Sequence, residues 1–333
     1  MKTSHYIYKS TKLIHVLLEY TERTPTQDGI INSINITGDF FVYPEESLDG
    51  LEASLIGTKL EKNLVRQKVQ HWLRGSQVFG FDSESLTKAI MARLLKTGHN
   101  SCYWNMALDE VLMKSVRNNA ANTPTLRLYG WDPPAVSIGY FQSMDHEVNV
   151  ENCKKTGVDV VRRMTGGGAV LHDSELTYSF ITRWYPQNIL ESYKMICDPI
   201  IICLVDLGFN KVRFSPLNDV IVDDKKVSGN AQTRKEGILL QHGTILLDVD
   251  PEKMFTVLKV SKEKIRDKVI HSVKERVMGV NRTFDEVSAA LERAFSMKFA
   301  AKLLVDSITT QEISDSHKLI KEKYGMYDWN WRR

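Results

Sequence analysis

The sequence predicts a mixed α/β (α+β) protein: a largely antiparallel sheet flanked by helices, with a small α+β unit ahead of it. Three observations carry this reading. The chain has 333 residues, more than one ordinary core of roughly 100–200 residues accounts for. Short apolar stretches punctuated by Gly, Pro and Asp fill residues 125–248, as strands joined by turns do. Helical periodicities interrupt them at irregular intervals, not after every strand, which argues against a doubly wound parallel sheet.

Taken in order, residues 12–20 and 30–42 alternate apolar and polar side chains and predict two strands. Between them Thr24-Pro25-Thr26-Gln27-Asp28-Gly29 reads as the turn of a hairpin. Helices are expected over 45–57, 61–74 and 83–95, the last capped by Ser83 with Leu86 and Ile90 on one face. Residues 1–91 therefore form a small unit, and Thr97-Gly98-His99-Asn100 marks the boundary to a second unit over 98–333. There Trp104, Ala107, Leu108, Val111, Leu112 and Val116 recur at helical spacing. Strands are expected at 125–129, 135–140, 158–163, 169–171 and 176–182, a helix at 190–207, and strands at 211–214, 217–222, 225–228 and 237–248. Helical patterns close the chain at 251–258, 261–270, 283–296 and 311–323.

Composition excludes several functions. A net charge of +3 without a basic stripe argues against a dedicated nucleic-acid binder. No apolar run approaches the ~20 residues that span a bilayer, and no apolar segment follows Met1-Lys2-Thr3 to make a secretory signal. The four cysteines form no CxxC and read as reduced thiols of a cytoplasmic protein.

The sharpest signal is Arg162-Arg163-Met164-Thr165-Gly166-Gly167-Gly168-Ala169-Val170-Leu171-His172-Asp173. Three glycines let the backbone turn with positive φ and approach a ligand, and consecutive N–H groups in such a turn make an anion nest. The two arginines add fork donors for a phosphate or carboxylate. A Gly-rich surface hairpin would need only the glycines; the arginines and His172-Asp173 around them favour a site. The glycines lead into a strand, so this is neither a P-loop nor a dinucleotide-binding turn. A second group, Asn218-Asp219 and Lys226-Val227-Ser228-Gly229, falls on the two arms of a predicted hairpin. Asp219 is a candidate ligand for Mg²⁺, and Lys226 a point charge for a developing oxyanion. An ordinary solvated turn explains Asp223, Asp224 and Lys225, but not the buried-looking segment after Lys226. In the apolar strand 237–247, His242 precedes Gly243; a histidine so placed is more often a satisfied core residue, so a supporting role is expected.

At these segments the chain resembles the lipoate–protein ligase family. The run at 162–173, the run at 218–232 and Gln241-His242-Gly243-Thr244 occur in that family's order, as do Trp104-Asn105-Met106-Ala107-Leu108-Asp109-Glu110 and Gly130-Trp131-Asp132-Pro133-Pro134 through Gln142. The likeness covers about 98–333, and residues 1–91, with Ile36-Thr37-Gly38-Asp39-Phe40-Phe41-Val42-Tyr43-Pro44, resemble the family's accessory module, here ahead of the catalytic unit. The resemblance implies the fold shared with biotin ligases, with ATP and Mg²⁺ as cofactors. It implies activation of lipoate or octanoate to an acyl-adenylate and transfer to a lysine of a lipoyl domain of 2-oxoacid dehydrogenases or of a glycine-cleavage H-protein. Lys226 matches the family's essential lysine; Arg163 and Gly166–Gly168 match the phosphate and lipoyl cradle, Asn218 and Asp219 the nucleotide and metal contacts, and Trp131 and Gly139 the apolar channel.

The nearest alternative is an octanoyl- or lipoyl-transferase of the same fold, which carries the acyl group on a cysteine. Phe214-Ser215-Pro216-Leu217-Asn218-Asp219 holds no cysteine where the resemblance would place it, although Leu171 to Ser179 looks transferase-like. A biotin ligase lacks support at 162–168, and a non-catalytic lipoyl-binding protein would need neither Lys226 nor Asp219.

Overall fold

The computed structural model describes residues 2–9, 13–21, 29–83, 86–87, 91–118, 124–215, 217–259, 275–299 and 302–333. They divide into two compact units: Met1–Arg93 with Glu292–Leu304, and Leu94–Asn118, Pro124–Leu291 and Val305–Arg333.

The smaller unit is built on an antiparallel sheet of β1 (Lys2–Lys9), β2 (Leu13–Thr21) and β3 (Ile30–Gly38). Period-2 alternation turns Ile14, Val16, Leu18 and Tyr20 to one face, where they are buried with Ile31, Ile34 and Ile36. Helices Ser47–Leu55 and Lys62–Leu73 bury Leu51, Leu55, Val65 and Val69. β4 (Phe41–Tyr43) pairs with β5 (Gln77–Phe79). The expected hairpin turn at 24–29 lies almost wholly outside the described residues, although β2 and β3 pair antiparallel on either side of it.

The helix expected over 83–95 is corrected. Residues near Ser83 begin a helical turn, with Leu86 N–H donating to Asp82 O, but Met91–Asn100 is strand β6. Leu94 and Leu95 are both buried, on opposite faces of a sheet, and a short apolar run of that kind satisfies either period.

The larger unit contains a sheet in the order β12-β13-β14-β15-β11-β7-β6, with β6 from Leu94 onward. Its further members are β7 (Thr125–Trp131), β11 (Glu175–Thr182), β12 (Val212–Ser215), β13 (Asp219–Val222), β14 (Lys225–Lys235) and β15 (Ile238–Leu246). The helix Cys102–Asn118 packs Leu108, Leu112, Met113 and Val116 with Ile181, Ile238 and Leu240 in one core. A second sheet, β10-β8-β9, consists of β8 (Ala135–Ile138), parallel β9 (Asp159–Arg162) and antiparallel β10 (Val170–His172). Helices Ile189–Asp206, Pro251–Val257, Phe284–Lys298 and Thr310–Leu319 stand where the periodicity expects them; the helix expected at 261–270 lies outside the described residues. Among the described residues no helix is long and apolar enough to cross a membrane.

Candidate active site

The register aligns the floor of the site. Across adjacent strands Tyr129 opposes Thr177 and Thr177 opposes Thr244, and Gly229 opposes Asp219. Residues directly opposite one another share a face. A cavity of about 500 Å³ opens on that face, walled by Met106, Trp131, His172, Glu175, Gly167–Ala169 and the β13–β14 ribbon.

The loop from β9 to β10 carries the three glycines. Gly139, at the end of β8, lies under it: a Cβ there would come within 2.0 Å of the Gly167 carbonyl oxygen. Gly167 adopts φ +94°, a conformation glycine alone adopts readily. Arg163 donates from Nη2 to the carbonyls of Gly166 and Gly168 (2.8 Å each), from Nη1 to Ser137 and from Nε to Thr165 Oγ1 (3.1 Å). In a planar trans peptide the carbonyl and the following N–H point opposite ways. The Gly167 and Ala169 N–H groups therefore point away from Arg163, and among the described residues no hydrogen-bond partner occupies them. The result is an anion nest set beside a buried guanidinium. Burial brings the Arg163 pKa down to about 10, which leaves it cationic at neutral pH.

Arg163 thus acts on the loop, its donors taken by protein oxygens. Arg162 departs further from expectation. It is fully buried, and its side chain donates to the carbonyls of Gly139, Tyr140, Gln142, Trp329 and Asn330. It does not face the cavity. Gly139 also packs beneath the glycine loop instead of lining an acyl channel, and neither Thr165 nor Gly166 reaches the cavity wall.

Lys226 does face the cavity, with Asn218 and Gly229 beside it. A bulge between β13 and β14 brings Lys226 opposite Ile221 and Ser228 opposite Val220, and such a bulge re-aims a side chain. The lysine chain then lies over Gly229, where a Cβ would sit 2.8 Å from both Cε and Nζ. Asp219 Oδ1 holds Nζ at 2.8 Å. Asp219, the candidate Mg²⁺ ligand, is thus ion-paired with a lysine, while among the described residues its Oδ1 takes no hydrogen bond. Among the described residues no group of three or more His, Cys, Asp or Glu is placed to hold a metal ion, so these side chains form no all-protein cage for Mg²⁺.

Two buried histidines tie the wall together. The Asp109 carboxylate only accepts, so His242 Nδ1–H donates to it (3.2 Å), and Nε2 of the neutral ring accepts from the Thr165 hydroxyl (2.7 Å), which itself accepts from Arg163 Nε. Burial lowers the His242 pKa despite that carboxylate. Burial pushes Asp109 up, but the bond from His242 and the Arg127 guanidinium at 2.8 Å outweigh it and hold its pKa low. His172 stacks on Trp131 with ring centroids 3.9 Å apart and links Ser137 Oγ to Glu175 Oε1, each at 2.7 Å. Trp131 Nε1 donates to Thr177, which donates to Glu175. Ser137, Glu175 and Asp109 escape a sequence reading of the site; the one hint is a serine inside the otherwise apolar, wholly buried strand β8.

Comparison with known proteins decides what this arrangement belongs to. The lipoyl protein ligase A/B catalytic domain matches residues 101–300, and the bacterial lipoate protein ligase C-terminus matches residues 23–90. The chain belongs to the lipoyl protein ligase A/B family. Within that family it is similar to the octanoyltransferases LipM of Kyrpidia tusciae (37% identical) and Bacillus subtilis (32%), each alignment covering 72% of this chain and 98% of the relative. Among solved structures it is similar to the bi-partite lipoate protein ligase of Thermoplasma acidophilum, described with its E2 lipoyl domain. That match has 34% identity and TM-score 0.68 and covers 73% of this chain and 96% of the other. It is similar too to a lipoate-protein ligase A bound with ATP, at 31% identity and TM-score 0.64, covering 73% and 99%. The protein is thus an enzyme of the ligase and transferase family with the mixed, largely antiparallel fold the sequence predicts. The module named for the ligase C-terminus stands here ahead of the catalytic part.

Proposed function

We propose that the protein is an ATP-dependent lipoate–protein ligase. It would join lipoate or octanoate to AMP, releasing pyrophosphate, and pass the acyl group to a lysine of a lipoyl domain or H-protein-like acceptor. The observation that carries this reading is that Lys226 faces the cavity and no thiol does. All four cysteines are buried away from the cavity wall. Burial pushes Cys153 up to about 11 and Cys197 to about 12, so neither is a thiolate nucleophile at neutral pH. The match of residues 23–90 to a ligase module supports the same reading.

In this reading the carboxylate oxygen attacks the α-phosphorus of ATP and pyrophosphate leaves. The ammonium of Lys226 and the N–H groups of Gly167 and Ala169 meet the negative oxygens. All are fixed before reaction, so no reorganisation is needed as charge develops. The acceptor's neutral amine then attacks the acyl carbonyl, AMP leaves and the amine loses a proton. The wall formed by Trp131, Met106 and Leu171 suits an apolar chain and keeps water from the anhydride.

A second reading, octanoyl transfer, is favoured by the names of the curated relatives. A mass assay separates the two. Apo lipoyl domain is incubated with lipoate or octanoate with and without ATP, or with an octanoyl thioester of acyl carrier protein without ATP. Modification that needs ATP and free acid supports the ligase; modification from the thioester alone supports the transferase.

A further inference from the structure

The reaction proposed above needs a folded protein to deliver a lysine, and one surface carries charge that the cavity does not use. Lys114, Lys235 and Lys323 gather around Glu110: Lys323 Nζ is 2.6 Å and Lys114 Nζ 3.8 Å from its carboxylate, and both Lys235 and Lys114 oppose the charge of Lys323. Lys323 Nζ also stands 4.0 Å from the centre of the Trp329 ring. Arg332 lies 5.3 Å from that same ring and 4.4 Å from the ring of Tyr140. Arg333 lies 5.6 Å from the ring of Phe141, which is 68% exposed. Beneath them Arg162 is held by carbonyl oxygens alone and feels the charge of both arginines. Among the described residues Glu110 is the one carboxylate in ion-pair reach of these five surface cations.

The position of this surface ties it to the site. Phe141 abuts the glycine loop, a Cβ on Gly166 lying 3.9 Å from its ring, and the next glycines of that loop line the cavity. Guanidiniums take carboxylates in paired hydrogen bonds. The exposed rings of Phe141 and Tyr327 (68% each) give an apolar centre of the kind that protein interfaces bury. We propose that this surface, from Lys114 and Lys235 across Trp329 to Arg332, Arg333 and Phe141, docks the acceptor protein, and that the acceptor carries carboxylates around its target lysine. The proposal rests on the ligase reading only for its choice of acyl donor.

The test uses the full chain, a recombinant apo lipoyl domain, lipoate and ATP. Two double variants, Arg332→Ala with Arg333→Ala and Lys114→Ala with Lys235→Ala, are compared with the wild type at low and physiological salt. Lipoyl hydroxamate formed with hydroxylamine reads the first half-reaction, and the acceptor KM reads docking. Each pair is expected to raise the acceptor KM about tenfold at low salt and to flatten its salt dependence, with hydroxamate formation unchanged. An acceptor KM within about twofold of wild type in both pairs overturns the docking surface. A rise in the KM for ATP with the acceptor KM unchanged also overturns it. If the wild type forms no hydroxamate, the ligase reading fails by itself, and the acceptor KM measured with an octanoyl thioester still decides the docking.

Discussion

Asp219 Oδ1 and Lys226 Nζ meet at 2.8 Å across a bulged two-stranded ribbon, and the lysine they fix is the cation that looks into the cavity. The side chains are 40% (Lys226) and 31% (Asp219) exposed, so the pair adds less than about 1 kcal/mol to stability. Its value is positional. Asp219→Asn keeps the shape and removes the charge that holds Nζ. Acyl-adenylate formation should fall roughly tenfold to a hundredfold in kcat while Tm stays within a degree or two of wild type. Lys226→Ala should lose roughly two to three orders of magnitude. A wild-type rate of pyrophosphate release from either variant would remove this pair from the mechanism.

Gly229→Ala tests the same lysine from the other side. The new methyl would sit 2.8 Å from Cε and Nζ, so the flexible end of Lys226 must move. The chain accommodates this at little cost in stability, but a displacement of about an ångström at a reacting charge costs up to a hundredfold in rate. Steady-state kinetics with a melting curve on the same preparation checks it; a lowered Tm with an unchanged kcat is the contrary result.

Gly139→Ala should behave in the opposite way. Here the methyl would meet backbone, the Gly167 carbonyl at 2.0 Å, which no side chain can relieve. The glycine loop has to lift from β8, costing roughly 1–3 kcal/mol of stability and weakening substrate binding together with it. Arg163→Lys attacks the same loop through its carbonyls, because an ammonium does not reproduce the fork that reaches Gly166 and Gly168 together. Its expected signature is a raised KM for ATP, read from initial rates across nucleotide concentration.

How far the sequence reaches is clearest in the two arginines. Their place before the glycines correctly marks the loop, and Lys226, Gly229, Asn218, His172 and Trp131 do meet at one cavity. Which acceptors a guanidinium serves depends on contacts distant in sequence: the Arg162 donors end on Trp329 and Asn330, and no local pattern reveals that. Glu175 and Ser137 stayed hidden for the same reason, since only the β8–β10 register brings His172 between them. Strand alternation marked β2 and β3, and short apolar runs between turns marked most strands of the larger unit. Helical periodicity misled at Met91–Asn100, where Leu86 and Ile90 fit a helical repeat but sheet pairing prevailed.

Acid should loosen the protein through His242. Burial holds its pKa below the usual 6.5, so above that pH it is neutral in both folded and unfolded chains. As pH falls below about 6.5 the unfolded chain takes up a proton that the folded site resists, and stability drops toward the lowered folded pKa by up to about 1.4 kcal/mol per pH unit. Asp109, held low, adds a loss of the same sign at still lower pH. Denaturant unfolding at pH 5.5, 6.5 and 7.5 should show this slope, and His242→Gln should flatten it between 5.5 and 6.5. Equal slopes in the two proteins would place the acid sensitivity elsewhere.

The four thiols make the final prediction. Cys102, Cys153, Cys197 and Cys203 are buried, and none lines the cavity. Cys197 touches Gln241 and Cys153 the Val257 carbonyl through weak sulfur contacts that alanine forgoes at small cost. A thiol that carried the acyl group would be modified by iodoacetamide at a rate that rises with its thiolate fraction, and octanoyl donor would protect it. This chain should keep its acyl-transfer activity after brief iodoacetamide treatment of the native protein. Cys153→Ala and Cys197→Ala should each retain at least about half the wild-type kcat, since truncating a small buried side chain acts on packing and not on the reacting atoms. Inactivation by the alkylating agent, with the label mapped to one of these residues and blocked by an acyl donor, would show instead that a cysteine opens to the cavity during turnover, and the nucleotide-independent reaction would then be the chemistry of this site.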